Sequence, residues 1–182
     1  ASAAAPQTTN SWRVSPCPLY LSSEQLRFFT DLGPHLLSFY RGLNRLYTES
    51  VKGIQPTWVA GYLDQGKPAA LVQYSRMKRF RDTLPAVIRP DIIPTQDGMV
   101  ITELDSVPGG IGLTACLSRI YHDLDGDHAQ IIGGPHGMIR GFARMLRSLQ
   151  DQEGGCIAIL ISDESKDYRP EMSWLTAQLR EE

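Results

Sequence analysis

The sequence predicts a mixed fold of the α+β or α/β class, in which N-terminal helices precede an antiparallel hairpin and a helix–strand–helix α/β segment. Leu36, Phe39 and Leu43 recur at spacings of three and four residues, which indicates one apolar face of a helix. Polar and apolar residues alternate from Met99 to Asp105, as is typical of a strand. The short apolar run Cys156–Ile161 lies between two helical patterns, which favours an α/β layer.

The chain divides into three predicted parts, namely a flexible tail over residues 1–15, a helical segment over 16–85 and the hairpin with its α/β segment over 86–182. The 182 residues carry 18 basic and 20 acidic side chains, so the net charge of −2 argues against a mainly electrostatic nucleic-acid binder. The longest plainly apolar run, Ile157–Ile161, is far shorter than the roughly 20 residues of a membrane span. Three scattered cysteines without a CxxC pair favour a reducing cytoplasm over a disulfide-bonded or zinc-binding framework.

The helical segment is punctuated by caps and prolines. Ser22 and Gln25 have the spacing of a capping box, which predicts a helix from Ser23 to Leu32. We expect Gly33-Pro34 to break this helix and to start a second one. Two further helices are predicted, one starting at Pro56 and one over Lys67–Lys78.

The second half begins with the hairpin, whose turn is predicted at Gln96-Asp97-Gly98. Helices are then expected over Gly112–Leu124, after Gly133-Gly134-Pro135, and over Pro170–Glu181, the last with Met172, Leu175 and Leu179 aligned on one apolar face. Between the last two, the apolar run is predicted to be a strand buried on both faces of a sheet.

Four charged residues of the hairpin form the principal candidate site. Arg89 and Asp91 are two residues apart, as are Glu103 and Asp105, so each pair lies on one face of its strand. If the strands pair around the turn, three carboxylates and one guanidinium converge. Carboxylates that close together need a counter-ion, and Mg²⁺ prefers such oxygen ligands. The alternative is an exposed hairpin in which the arginine only screens the acids.

The stretch from Arg89 to Gly110 reads RPDIIPTQDGMVITELDSVPGG. This stretch resembles the metal-binding hairpin of ATP-grasp ligases, in which Arg-x-Asp, an acidic-Gly turn, Glu-x-Asn and a Pro/Gly-containing loop follow one another. It is most similar to the circularly permuted group exemplified by glutathionylspermidine synthase, where the hairpin comes early in the chain. Residues 159–168 are similar to the strand that follows the hairpin in that group. The resemblance covers about residues 87–182.

The resemblance implies an ATP-dependent carboxylate–amine ligase that uses Mg²⁺ and ATP and forms an acylphosphate. It implies that Arg89 faces the transferred phosphoryl group and that Asp91 and Glu103 bind magnesium. Asp105 stands where the family usually has Asn, and it is expected to be a third ligand. The resemblance also implies a loop near the acceptor substrate, with candidate contacts at Ser106, Pro108, Gly109, Gly110 and Gly112.

The nucleotide-clamping lysine and adenine pocket of that family would lie beyond Glu182, so the resemblance implies the N-terminal portion of such a ligase, with little ATPase activity of its own. The expected partners are a small or peptide-like acid and an amine, without membrane or nucleic acid. Two alternatives stay open: a non-catalytic α/β binding or scaffold domain, and an RNA-associated module that uses Arg76–Arg81. The apolar run Cys156–Ile161 further predicts concentration-dependent self-association if the rest of the protein is missing.

Overall fold

The computed structural model describes residues 13–126, 130–150 and 155–182. The predicted tail over 1–15 therefore lies almost entirely outside the described residues. The described part is rich in helix and contains a small two-stranded antiparallel sheet, which is compatible with the α+β class. None of its helices is long and apolar enough to cross a membrane.

The N-terminal half contains three helices, and their bounds are α1 (Ser23–Val51), α2 (Trp58–Asp64) and α3 (Ala69–Ser75). The capping box is confirmed, since Gln25 N–H donates to Ser22 Oγ at 3.2 Å and Ser22 N–H donates to Gln25 Oε1 at 2.8 Å. The predicted break at Gly33-Pro34 is wrong, because α1 continues through both residues. Proline holds φ at a value that a helix also uses, so only one hydrogen bond is lost while the ladder continues on either side.

A buried serine fixes the turn between α1 and α2. Ser50 is 1% exposed, and its hydroxyl donates to the carbonyl of Pro56 at 2.6 Å. The same oxygen accepts the Ala60 N–H at 3.0 Å. Since both partners lie at the start of α2, this one side chain holds the second helix against the end of the first.

The hairpin consists of β1 (Arg89–Thr95) and β2 (Gly98–Asp105), as the alternation predicted. Thr95 pairs with Gly98, so the connecting loop has two residues, and Gly98 adopts a φ of 122°. Such a φ is open to glycine and strained for other residues, which explains why glycine follows the turn.

The C-terminal half contains three mutually packed helices, α4 (Ile111–Asp125), α5 (Gly137–Ser148) and α6 (Arg169–Leu179). Their buried side chains form the principal core: Ala115, Ile139, Phe142, Met172 and Leu175. The spacing of Met172 and Leu175 in the predicted last helix is thereby confirmed as a core-facing stripe.

The strand predicted at Cys156–Ile161 is absent, and with it the helix–strand–helix α/β layer, within the described residues. Ile159 and Ile161 pack against the helical core, whereas Leu160 between them is 92% exposed. The segment has the alternating burial of a strand but no neighbouring strand to accept its hydrogen bonds. A single extended segment has no ladder, so its apolar character here serves to cover one side of the helices.

Candidate active site

A β-bulge decides which charged residues of the hairpin share a face. From the turn up to the Ile92–Ile101 pair the strands pair without interruption, and continuing that register would place Asp91 opposite Thr102. Instead the register shifts by one residue, so Asp91 pairs with Glu103 and Arg89 pairs with Asp105. Because residues directly opposite each other point to the same side of a sheet, the bulge places these four residues on one face, here called the hairpin face.

Thr102 is the extra residue of the bulge. Its hydroxyl donates to the Asp91 carbonyl at 3.2 Å, so the side chain bonds the backbone of the facing strand next to the position where the register changes. On the opposite face of the hairpin, the pair Pro90 and Leu104 is half-buried. At Asp91 and Glu103 the hairpin face is therefore more exposed than the opposite face of the hairpin.

Asp105 is fully engaged by its neighbours. Its Oδ2 accepts from Arg89 Nη1 at 2.9 Å, and its Oδ1 accepts the backbone N–H groups of Ser106 at 2.5 Å and Val107 at 2.8 Å. The Val107 hydrogen bond, partly opposed by desolvation, lowers the pKa of Asp105, and the Ser106 N–H and the Arg89 charge lower this pKa further. Asp105 thus holds the start of the following loop, and its predicted role as a metal ligand stays a prediction.

Arg89 bridges the hairpin and the loop. Its Nη1 donates both to Asp105 and to the Val107 carbonyl, the latter at 3.1 Å. Both bonds use the same nitrogen, which leaves Nε and Nη2 without a hydrogen-bond partner among the residues described. A guanidinium has five N–H donors in a planar fork, so those two nitrogens are suited to bind an oxyanion.

Asp91 and Glu103 are exposed, and their carboxylates make no hydrogen bond or ion pair within the described parts of the chain. In those same ranges no three metal-ligating side chains come close enough together to hold a metal ion. The geometry therefore offers two available carboxylates on the hairpin face, rather than a cage of three.

The loop from Ser106 to Gly112, here called the glycine loop, is closed by residues from α6 that sequence reasoning missed. The Glu171 carboxylate accepts the Gly110 N–H at 2.7 Å and the Leu113 N–H at 2.9 Å. These are amides at the N-terminus of α4, where a helix attracts negative charge. The amides that could bind an anion at this helix start are therefore occupied by a carboxylate of the chain itself.

Two of the loop glycines are required by close packing. A Cβ at Gly109 would lie 2.7 Å from the Tyr168 ring, and a Cβ at Gly112 would lie 2.6 Å from the Glu171 carbonyl oxygen. Gly110 between them adopts a φ of 81°. Several glycines in one loop could have signalled a close approach of another element, but nothing in the sequence identified α6 as that element.

The exposed start of the loop faces α1. The Tyr40 hydroxyl lies 3.4 Å from Ser106 Oγ, while Pro108 is half-buried. The predicted substrate contacts thus fall into an accessible part at Ser106 and a part at Gly109, Gly110 and Gly112 that packs on α6. Their contact with substrate stays a prediction.

Comparison of the chain with protein-family models, with curated proteins and with solved structures gave no match.

Proposed function

We propose that this chain supplies the metal-binding hairpin and the acceptor loop of an ATP-dependent carboxylate–amine ligase of the ATP-grasp type. The observation that carries the proposal is the bulge, because it brings Arg89, Asp91, Glu103 and Asp105 to one face in the order that the resemblance requires. Without that one-residue shift, the acids of β2 would lie on the face opposite Arg89 and Asp91.

Two available carboxylates are the number of protein ligands that a nucleotide-bound Mg²⁺ usually has. Mg²⁺ is usually held by one or two carboxylates, with substrate phosphates and water completing its octahedron. Asp91 and Glu103 would supply those two ligands, and the ion would neutralise phosphate charge. The free Nε and Nη2 of Arg89 are placed to bind an oxygen of the transferred phosphoryl group.

Asp105 and the glycine loop have a positioning role in this proposal. By binding both Arg89 and the amides of Ser106 and Val107, Asp105 orients the guanidinium and the loop together. The acid and amine substrates would meet the accessible loop start. The terminal phosphoryl group of ATP would pass to the carboxylate to form an acylphosphate with release of ADP, and the amine would then displace inorganic phosphate to form the amide.

One observation favours the second candidate, a binding or scaffold domain without catalysis. Glu171 occupies the amides of the glycine loop that would otherwise bind an anionic group. A scaffold of this kind retains the hairpin but has no reason to bind a divalent cation there.

Metal binding by the chain separates the two candidates. We expect Mn²⁺, followed by electron paramagnetic resonance as a Mg²⁺ substitute, to bind weakly with one ion per chain. Asp91→Asn and Glu103→Gln should each weaken this binding by about tenfold or more, because each removes one of the two charged ligands. Asp97→Asn in the turn is the matched control and should leave binding unchanged.

Deletion of Thr102 tests the geometry directly. The deletion removes the unpaired residue, so the strands pair without interruption and Glu103 stays opposite Asp91. Mn²⁺ binding should therefore be retained although the bulge is gone, and its loss would argue against paired ligation by these two residues. Wild-type binding that is absent, or that survives Glu103→Gln, would overturn the ligase proposal in favour of the scaffold.

A further inference from the structure

The second half of α1 and the segment at the end of α3 enclose a groove that is lined by none of the metal ligands proposed above. A cavity of about 300 Å³ is lined by residues of α1 on one side and by residues 75, 76, 78 and 81 on the other; the α1 residues are Tyr47, Thr48, Val51 and Lys52. A second cavity of about 500 Å³ shares Thr48 and Arg81 with it and extends along α1 toward Arg41. We call the smaller of the two cavities the basic pocket.

The basic pocket concentrates positive charge in an acidic chain. It is lined by four cationic side chains and by no carboxylate, although the whole chain has two more acidic than basic residues. The four are Lys52, Arg76, Lys78 and Arg81. The lining of the larger cavity next to it is nearly balanced in charge, since Glu49 and Asp82 accompany its three arginines. The charge excess is therefore local to the smaller pocket.

Hydrogen bonds hold the walls of the basic pocket in place. Tyr47 donates to Asp64 at 2.8 Å and accepts from Arg76 Nε at 3.1 Å, and Arg76 also pairs with Asp64. Asn44 Nδ2 donates to the Thr83 carbonyl at 3.0 Å, which ties the far end of the segment to α1. A charged pocket with fixed walls pays less ordering entropy when it binds a ligand.

The remaining cations have no internal partner. Within the described ranges, Lys52, Lys78 and Arg81 form no ion pair, while Arg76 alone is paired. Like charges around one cavity repel each other, and a bound anion of high charge relieves that repulsion.

We propose that the basic pocket binds a compact small molecule that carries a diphosphate group. Three cations without an ion pair in the described ranges, beside the paired Arg76, match the three to four negative charges of a diphosphate better than the single charge of a carboxylate. The Arg81 guanidinium can bind two phosphate oxygens, lysines bind them as point charges, and the Thr48 hydroxyl adds a donor. The volume is that of a small-molecule site, and the acids Glu49 and Asp82 of the adjoining cavity disfavour a nucleic-acid strand.

Inorganic pyrophosphate is the probe, titrated calorimetrically into the chain without divalent metal and at low salt. We expect one pyrophosphate to bind per chain, more tightly than inorganic phosphate or sulfate and less tightly as salt is added. The variant Lys52→Gln/Lys78→Gln/Arg81→Gln should lose affinity by about tenfold or more. The control variant Arg27→Gln/Arg144→Gln/Lys166→Gln removes the same charge from remote exposed sites and should change the affinity by less than about twofold.

This inference stands apart from the proposed ligase function. Glu103→Gln, which should weaken metal binding on the hairpin face, should leave pyrophosphate binding unchanged. Three results would overturn the inference: no binding of pyrophosphate, equal loss in the control variant, or a single-stranded RNA oligomer that binds and is not displaced by pyrophosphate. The last of these would assign the basic residues to RNA instead.

Discussion

Replacing Gly112 by alanine tests whether α6 seals the glycine loop. The added Cβ would lie 2.6 Å from the carbonyl oxygen of Glu171 and 3.1 Å from its carbonyl carbon. Both are backbone atoms, so no side-chain rotation relieves the overlap, and α4 and α6 must move apart. Gly141, an exposed residue inside α5, is the matched control because its added Cβ meets nothing within 4 Å.

The two substitutions should change stability in opposite directions. Alanine in place of an unconstrained helical glycine stabilises a protein by about 0.5–1 kcal/mol, which is the expectation for Gly141→Ala. Overpacking costs about 1–3 kcal/mol. Separation of the helices would also weaken the bonds from Glu171 to the Gly110 and Leu113 amides, at about 1 kcal/mol each. We therefore expect Gly112→Ala to lower the free energy of unfolding by about 1–3 kcal/mol.

Urea unfolding followed by far-UV circular dichroism measures both variants. The urea concentration at the unfolding midpoint should fall for Gly112→Ala and rise for Gly141→Ala. The slope of the free energy of unfolding against urea concentration should stay the same in both variants. Equal stability of the two variants would refute the close approach of α4 and α6, and with it the account of the glycine loop.

Three further predictions concern the charged and apolar residues around the site. Glu171→Ala should lower the free energy of unfolding by about 1–2 kcal/mol, and Glu171→Gln by less, because the amide oxygen still accepts from one N–H of α4; equal losses in urea titrations would contradict this. The pKa of Asp105 is lowered in the folded chain, so its ionised form stabilises the fold above its ordinary pKa of 3.8 and that stabilisation disappears as pH falls through the lower folded value. The difference in urea midpoint between the wild type and Asp105→Asn should accordingly narrow below about pH 4, and a constant difference would argue against the pKa shift. Leu160→Lys should reduce concentration-dependent association in light scattering, since Leu160 is 92% exposed on an unpaired extended segment; a wild-type chain that stays monomeric at high concentration would show that the segment is not an association site.

Elements that depend on local patterning were predictable from the sequence. The capping box set the start of α1, and the apolar spacing in α6 identified Met172 and Leu175 as core residues. The alternation in β2 and the turn before Gly98 identified the hairpin. In each case the signal lies within a few residues, at the period of the element itself. The predicted break at Pro34 failed because the rest of a 29-residue helix offsets the local cost of about 3 kcal/mol that an interior proline imposes.

The candidate site depended on details that local patterning does not contain. Whether Glu103 faces Asp91 or points away from it is decided by one unpaired residue, Thr102, since the side-chain period of a strand is two. Pairing of two strands in either register retains the same alternation, so the sequence pattern was compatible with both arrangements. Only the cross-strand pairing shows which register the hairpin adopts.

What the sequence by itself determined is the set of elements and the residues able to carry chemistry: the helices, the hairpin, and the acids and arginine at its base. The tertiary structure alone decided their partners. Glu171 reaches the glycine loop from 61 residues away, and Ile159 and Ile161 cover a helical core instead of joining a sheet. Backbone amides at a helix start and apolar side chains are satisfied by any suitable group that packing brings near them. Which group arrives is a property of the whole chain and not of the segment.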